Sequence, residues 1–212
     1  LPPPGGRTTA YEYAQNRSLR CVTDAREETV ERVYDDLNRL ETLRQPGGLV
    51  TSLGYDEDGR QTTTTDPNGQ TTTYGYYSVA QDLRLQEIHH KKPDTTTLNR
   101  FTYTYDVVGN IQTWTQQTDA NPANAYDFGY DRVDQLTLAT YRTTDATPAI
   151  LKRYRYASDP AGNRTAEQID DVVTGASYDN MNRLTSQQPG GALLFAGTVS
   201  EPATVTVGGK PA

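Results

Sequence analysis

The chain has 212 residues, a formal net charge of −7 and 34% hydrophobic residues, with a mean hydropathy of −0.78. A single cysteine, Cys21, excludes an internal disulfide. No apolar run approaches the ~20 residues that cross a bilayer, and a pI of about 4.8 argues against nucleic acid, whose phosphates call for a basic surface. Fifteen tyrosines are too many for a solvated tail. Tyrosine and threonine suit a pleated, half-buried surface, so the composition predicts an all-β protein with a thin, tyrosine-rich core.

Residues 1–10 open on "LPPPGG", a proline–glycine lead-in without signal-peptide character, as expected of a segment cut from a longer chain. From residue 11 a repeat begins. Tyr13, Tyr34, Tyr55 and Tyr76 succeed one another at steps of 21 residues. Tyr105, Tyr130, Tyr156 and Tyr178 continue at steps of 29, 25, 26 and 22. The longer steps fall where loops are inserted, near "KKPDTTT" and "TDANPANA". Such a fixed period marks a repeat architecture.

The residues after each tyrosine are also alike: "YDDLNRL" at Tyr34, "YDEDGRQ" at Tyr55, "YDVVGNI" at Tyr105, "YDRVDQL" at Tyr130, "YASDPAGNR" at Tyr156 and "YDNMNRL" at Tyr178. Tyr13 and Tyr76 open degenerate units. The aspartates Asp35, Asp56, Asp106, Asp131 and Asp179 are placed to accept backbone amides across a tight turn. Gly59, Gly109 and Gly162 suit a left-handed bend, and Asn38, Asp134 and Asn182 stand in their place elsewhere, the side chains that tolerate positive φ. A type I turn with a bulge residue fits this pattern.

A second turn class alternates with the first: "QPGG" at 45–48, "DPNG" at 66–69 and "QPGG" at 188–191. Between turns lie runs of strand length, so each unit is predicted to be a hairpin handing on to the next. Strand alternation puts Phe101, Tyr103 and Tyr105 on one face and Thr102 and Thr104 on the other. Stacked units would align Tyr34, Tyr55, Tyr105, Tyr130 and Tyr178 into ladders. The threonine runs 62–65, 71–73 and 95–97 allow strands polar on both faces, at the cost of weaker register.

These motifs, together with "YDEDGRQTTTTDPNGQTTTYGY" and "YTYDVVGNI", resemble the Tyr-Asp repeats of the RHS/YD-repeat family over residues 11–189, about eight units. The resemblance implies a repetitive antiparallel hairpin sheet that curls into a β-spiral or shell segment. In bacterial Rhs proteins and the C components of Tc toxins that shell encloses a toxic C-terminal domain; in teneurins a similar barrel serves adhesion. It therefore implies a non-enzymatic, secreted or cell-surface wall, whose partners are the rest of the same protein and its C-terminal effector. "YASDPAGN" falls mid-array and is expected to be a repeat turn rather than a cleavage site. Residues 190–212 lack the motif; strands are expected at 192–199 and 203–207, with a turn at "GGKP", similar to the start of an Ig-like module.

Catalytic, metal and cofactor sites are expected to be absent. His89 and His90 are neighbours beside Lys91 and Lys92, and are expected in a solvated loop. The pairs Asp35/Asp36 and Asp170/Asp171 are sequence neighbours, not carboxylates facing a substrate. Arg153 and Arg155 share a face and are expected to be solvated. Cys21 is expected to be a strand residue. The alternative to a shell wall is a carbohydrate-binding or adhesion module, with Trp114, Tyr76 and Tyr77 as the contact aromatics.

Overall fold

A computed structural model describes residues 8–191, 206–207 and 210–211. The chain divides into two compact units: Leu1–Asp127 with Arg142–Ala149, and Phe128–Tyr141 with Ile150–Ala212. Sixteen antiparallel strands succeed one another in hydrogen-bonded order without a crossover, the repetitive hairpin sheet that the sequence predicts.

The first unit holds β1 (Ala10–Tyr13), β2 (Leu19–Thr23), β3 (Thr29–Tyr34), β4 (Leu40–Gln45) and β5 (Leu49–Tyr55). It continues through β6 (Gln61–Thr65), β7 (Thr71–Tyr76), β8 (Leu85–Lys91), β9 (Thr97–Tyr105) and β10 (Ile111–Thr118). β11 (Asn124–Tyr130) and β12 (Leu136–Thr143) each contribute residues to both units. The second unit holds β13 (Ile150–Ser158), β14 (Arg164–Ile169), β15 (Val172–Tyr178) and β16 (Leu184–Pro189). A two-residue ladder joins β17 (Thr206–Val207) to β18 (Lys210–Pro211), which takes in two residues expected in a turn. The strand expected over 192–199 lies outside the described residues, as does the lead-in through residue 7.

The Tyr-Asp turns have the expected geometry. Asp35 N–H donates to the Arg39 carbonyl at 2.9 Å, and Asn38 N–H to the Asp35 carbonyl at 2.9 Å. Asp56, Asp106, Asp159 and Asp179 repeat this pair of bonds. The fourth turn residue has positive φ throughout: 61° at Asn38, 84° at Gly59, 105° at Gly109, 62° at Asp134, 86° at Gly162 and 61° at Asn182. Register slips at Val33/Tyr34, Gly54/Tyr55 and Ser177/Tyr178 mark the accompanying bulge.

The core is thin indeed. Among the described residues the buried hydrophobics are Ala125, Ala139 and Val173, and the buried polar residue is Gln168. Most strand side chains are half-buried on both faces rather than alternately buried and exposed, as in β3, β7 and β8. Cohesion therefore falls to the backbone ladder and to side-chain pairs within one face. One such row crosses four strands of the first unit. His90 meets Phe101 edge-on at 6.1 Å, Phe101 lies 6.2 Å from Trp114, and Trp114 stacks on Tyr126 at 5.5 Å and 16°.

One expectation, about the two histidines, changes. His89 and His90 are not in a loop: both lie in β8, which pairs with β7 on one side and β9 on the other, and are half-buried. His90 Nδ1 and Thr72 Oγ1 are hydrogen-bonded at 2.8 Å, and His89 Nε2 and Thr97 Oγ1 at 3.0 Å. Tyr156 precedes its turn by two further strand residues, as "YASDPAGNR" implies, and Ser158 stands directly before Asp159. Cys21 lies half-buried in β2, as expected.

Candidate functional site

The side chains that recur gather at the margin carrying the Tyr-Asp turns. Asp35 Oδ1 accepts the amides of Leu37 at 3.0 Å and Arg39 at 2.9 Å, while Oδ2 accepts Arg39 Nε at 2.7 Å. Asp56 does the same with Arg60, whose amide donates at 2.8 Å and whose Nε donates at 2.8 Å. Asp179 repeats the arrangement with Met181 and Arg183. In the Asp106 and Asp159 turns an asparagine replaces the arginine, and Asn110 and Asn163 donate Nδ2 to Oδ2. Asp131 accepts the Val133 and Gln135 amides, both at 2.9 Å.

In the three arginine-bearing turns these bonds lower the carboxylate pKa. The Arg39 amide, outweighing burial, holds Asp35 below its ordinary 3.8. At Asp56 burial is the largest influence and acts upward, but the Arg60 amide and guanidinium together bring it below 3.8. Asp179 is lowered first by the Arg183 amide. The aspartates are anions committed to their own turns, which leaves them unsuited to general acid–base work.

Three arginines of the first unit also reach forward. Arg39 Nη1 donates to the Asp56 carbonyl at 3.0 Å, and its Cζ lies 4.7 Å above the Tyr55 ring. Arg60 donates to the Leu83 carbonyl at 3.4 Å and lies 4.6 Å above Tyr76. Arg84 donates to the Asp106 carbonyl at 3.1 Å and lies 5.4 Å above Tyr105. All three are within the range of a cation–π contact.

The phenols reach back. Tyr34 donates to the Leu19 carbonyl at 2.9 Å, Tyr55 to Leu40 at 2.8 Å and Tyr76 to Gln61 at 3.0 Å. Tyr105 donates to Leu85 at 2.8 Å and Tyr178 to Arg164 at 3.1 Å. Each acceptor is the first strand residue after the turn of the preceding repeat. The rings are thus joined one repeat to the next through arginine and backbone. Tyr77 and Tyr105 make a direct contact, edge-on at 6.2 Å.

The arginines were not singled out in the sequence. Their signal lies in the fifth turn position of "YDDLNR", "YDEDGR" and "YDNMNR", where an arginine recurs after the left-handed residue. Of the contact aromatics, Tyr76 and Tyr77 both engage their hydroxyls internally, Tyr77 with the Tyr103 carbonyl at 2.9 Å. Trp114 has one face against Tyr126, and its indole Nε1 is buried without a hydrogen-bond partner. Among the described residues no group of three or more His, Cys, Asp or Glu is placed to hold a metal ion, and no helix is long and apolar enough to cross a membrane.

The RHS Repeat family model matches residues 34–71, the stretch in which Arg39 and Arg60 link two successive turns. Those residues carry an RHS repeat, and the chain as a whole is similar to an RHS/YD-repeat fragment. The same repeat fold recurs in solved structures. In a crystal structure of TcdB2-TccC3-Cdc42 the match has 25% identity and a TM-score of 0.68, covering 84% of this chain and 10% of that one. In a structure of the Photorhabdus luminescens Tc holotoxin pore it has 24% identity and a TM-score of 0.66, with the same coverages. A crystal structure of TcdB2-TccC3 matches at 24% identity and a TM-score of 0.68. The RHS array therefore spans about a tenth of the chains it resembles. No curated protein sequence matches it.

Proposed function

We propose that the RHS array is a non-enzymatic wall segment of a shell in a longer, secreted or cell-surface protein, and that this shell encloses or displays a C-terminal effector of the same polypeptide. The observation that carries the reading is the Arg–Tyr–Asp linkage along one margin. It fastens each hairpin to the next in a sheet that has almost no core of its own. A sheet so built gains stability by extension, since each repeat is held mainly by its neighbours. The likeness to TcdB2-TccC3 supports the reading at the level of architecture.

The alternative of glycan recognition or adhesion rests on Trp114, Tyr76 and Tyr77, and their engagement within the sheet gives it no specific support. The test uses the full-length native product, comparing its mass under denaturing conditions with its size on a native column. One native particle that separates into two or more chains is expected of a shell processed around a cargo. A single uncut chain that binds a glycan or a cell-surface protein would overturn the encapsulation reading.

A further inference from the structure

The array departs from its pattern at one place in the second unit. Ser158 holds the position that belongs elsewhere to Tyr34, Tyr55 or Tyr178. It stands directly before the turn aspartate, comes after the register slip at Ala157, and pairs with Arg164 as Tyr55 pairs with Gln61. One Tyr-Asp turn earlier, Gln135 holds the fifth turn position occupied elsewhere by Arg39 or Arg60. Both members of the guanidinium–phenol pair are thus replaced by shorter side chains.

A cavity of about 300 Å³ lies there, lined by Gln135, Leu136, Tyr156, Ser158, Gly162 and Arg164. Its volume falls at the lower end of small-molecule sites, about 300–1,000 Å³. Leu136 is the first strand residue after its turn. It corresponds to Leu40, whose carbonyl accepts the Tyr55 hydroxyl. Tyr156 supplies an aromatic wall, with the Arg164 guanidinium 5.6 Å from its ring.

We propose that this cavity is a subsite for a tyrosine side chain presented by another polypeptide segment, seated as the tyrosines of the sister repeats are seated. Those repeats define the occupant. A flat ring lies against the residue at the fifth turn position, and a hydroxyl reaches the carbonyl at the start of the preceding strand. At the cavity the corresponding groups are the Gln135 amide and the Leu136 carbonyl. An aliphatic side chain would leave that carbonyl without the phenol's donor, and an acidic one would lack that donor too and meet an Arg164 guanidinium already paired with Glu167 at 3.0 Å. The site stands whether or not the array encloses a cargo.

The test is a titration of the isotope-labelled 212-residue chain with N-acetyl-tyrosinamide, monitored by amide resonances. Saturable shifts are expected at Leu136, Ser158, Gly162 and Arg164. N-acetyl-phenylalaninamide, which lacks the hydroxyl, is expected to bind about two- to tenfold more weakly, the worth of one hydrogen bond. Ser158→Tyr supplies the ring in cis and is expected to weaken binding at least about tenfold while raising the melting temperature. Gln135→Arg closes the cleft from the other side and is expected to weaken binding as well, which keeps the test decisive if the first variant does not fold. Equal binding of the two probes, shifts that do not saturate, or binding retained in a folded variant would overturn the proposal.

Discussion

Substitution of Gly109 by valine tests the turn geometry on which the array depends. Gly109 has φ of +105°, a region costly for any side chain and more so for a β-branched one. Holding a residue in such a conformation costs about 1–3 kcal/mol. The neighbourhood adds to this. A Cβ at Gly109 would lie 3.5 Å from Cζ and Nη2 of Arg84, so the valine methyls would press the guanidinium away from Tyr105. Losing that cation–π contact costs about 0.5–1 kcal/mol more. The sum, about 2–4 kcal/mol, corresponds to a melting point lower by about 4–16 °C in a chain of this length. Gly109→Asn is the control, because Asn38 and Asn182 occupy the equivalent position at φ of 61°; it should fall by far less. Calorimetry reads the global effect. Amide exchange around the 106–110 turn reads the local one, which is larger because hairpins of an array open individually. A valine variant that melts within about 1 °C of the native chain, or an asparagine variant as damaged as the valine one, refutes the reasoning.

Tyr55→Phe removes the bond to the Leu40 carbonyl and should cost about 0.5–1.5 kcal/mol, measured by denaturant titration with an unchanged m-value. Arg60→Lys keeps the charge but loses the planar fork that joins Asp56, Leu83 and the Tyr76 ring. It should lower the melting temperature nearly as much as Arg60→Ala, and full recovery by lysine would reduce the contact to simple charge pairing. Trp114→Ala should destabilise by about 2–4 kcal/mol, slightly under the range for a fully buried ring, and the tryptophan fluorescence of the native chain should not respond to a glycan panel. Stability should also be bounded in pH. Asp35, Asp56 and Asp179 have folded pKa values below the ordinary 3.8, so their contribution is present above 3.8 and lost as pH falls through the folded values. His89, lowered from 6.5 first by burial and then by Lys91, adds a shallower loss that begins below 6.5. Burial raises Tyr76, Tyr105 and Tyr156 above 10, so stability falls again as pH rises beyond 10. Melting temperature against pH should be flat between about 6.5 and 10 and fall on both sides; a maximum near pH 4 would contradict these assignments.

The turns were legible because their chemistry is local. Positive φ admits few residue types, so Asn38, Gly59 and Asn182 betray a shared backbone conformation however much the rest of the turn varies. The 21-residue step and the alternation of "RFTYTYD" likewise carry the sheet. What a tyrosine touches was less legible. The ladders read from the sequence supposed that rings of successive repeats meet. In the structure Tyr55 instead lies between Arg39 and the Leu40 carbonyl, and Tyr76 and Tyr105 likewise carry a guanidinium over the ring. Tyr156 departs from the other units in a way that "YASDPAGNR" already displays. It is a tyrosine at nearly the right step, but the bulge fixes which residue precedes the aspartate, and that residue is Ser158. The histidines misled because lysine neighbours and a subsequent "KPD" resemble a loop, whereas β8 has partners on both sides that hold it extended.

The arrangement explains how a chain so polar folds at all. Burial alone cannot order it, since little of its apolar surface is fully removed from water. The asparagine and glutamine substitutions show where the linkage can be relaxed. Arg39 and Arg60 hold the fifth position in two consecutive Tyr-Asp turns of the first unit and Arg84 closes the degenerate turn after Tyr76, whereas Asn110, Gln135 and Asn163 hold the fifth position in the next three Tyr-Asp turns. An asparagine still caps its own aspartate, but it is too short to lie over the next ring. The turn keeps its shape while the tie between hairpins weakens. If arginine acts mainly between repeats and aspartate within one, the two should separate by experiment. Exchange protection should fall across the β5–β6 and β7–β8 hairpins together in Arg60→Asn, yet remain confined to the β5–β6 hairpin in Asp56→Asn. Identical protection patterns in the two variants would mean that the ion pair acts as one local cap, and that the repeats are held together by the backbone ladder alone.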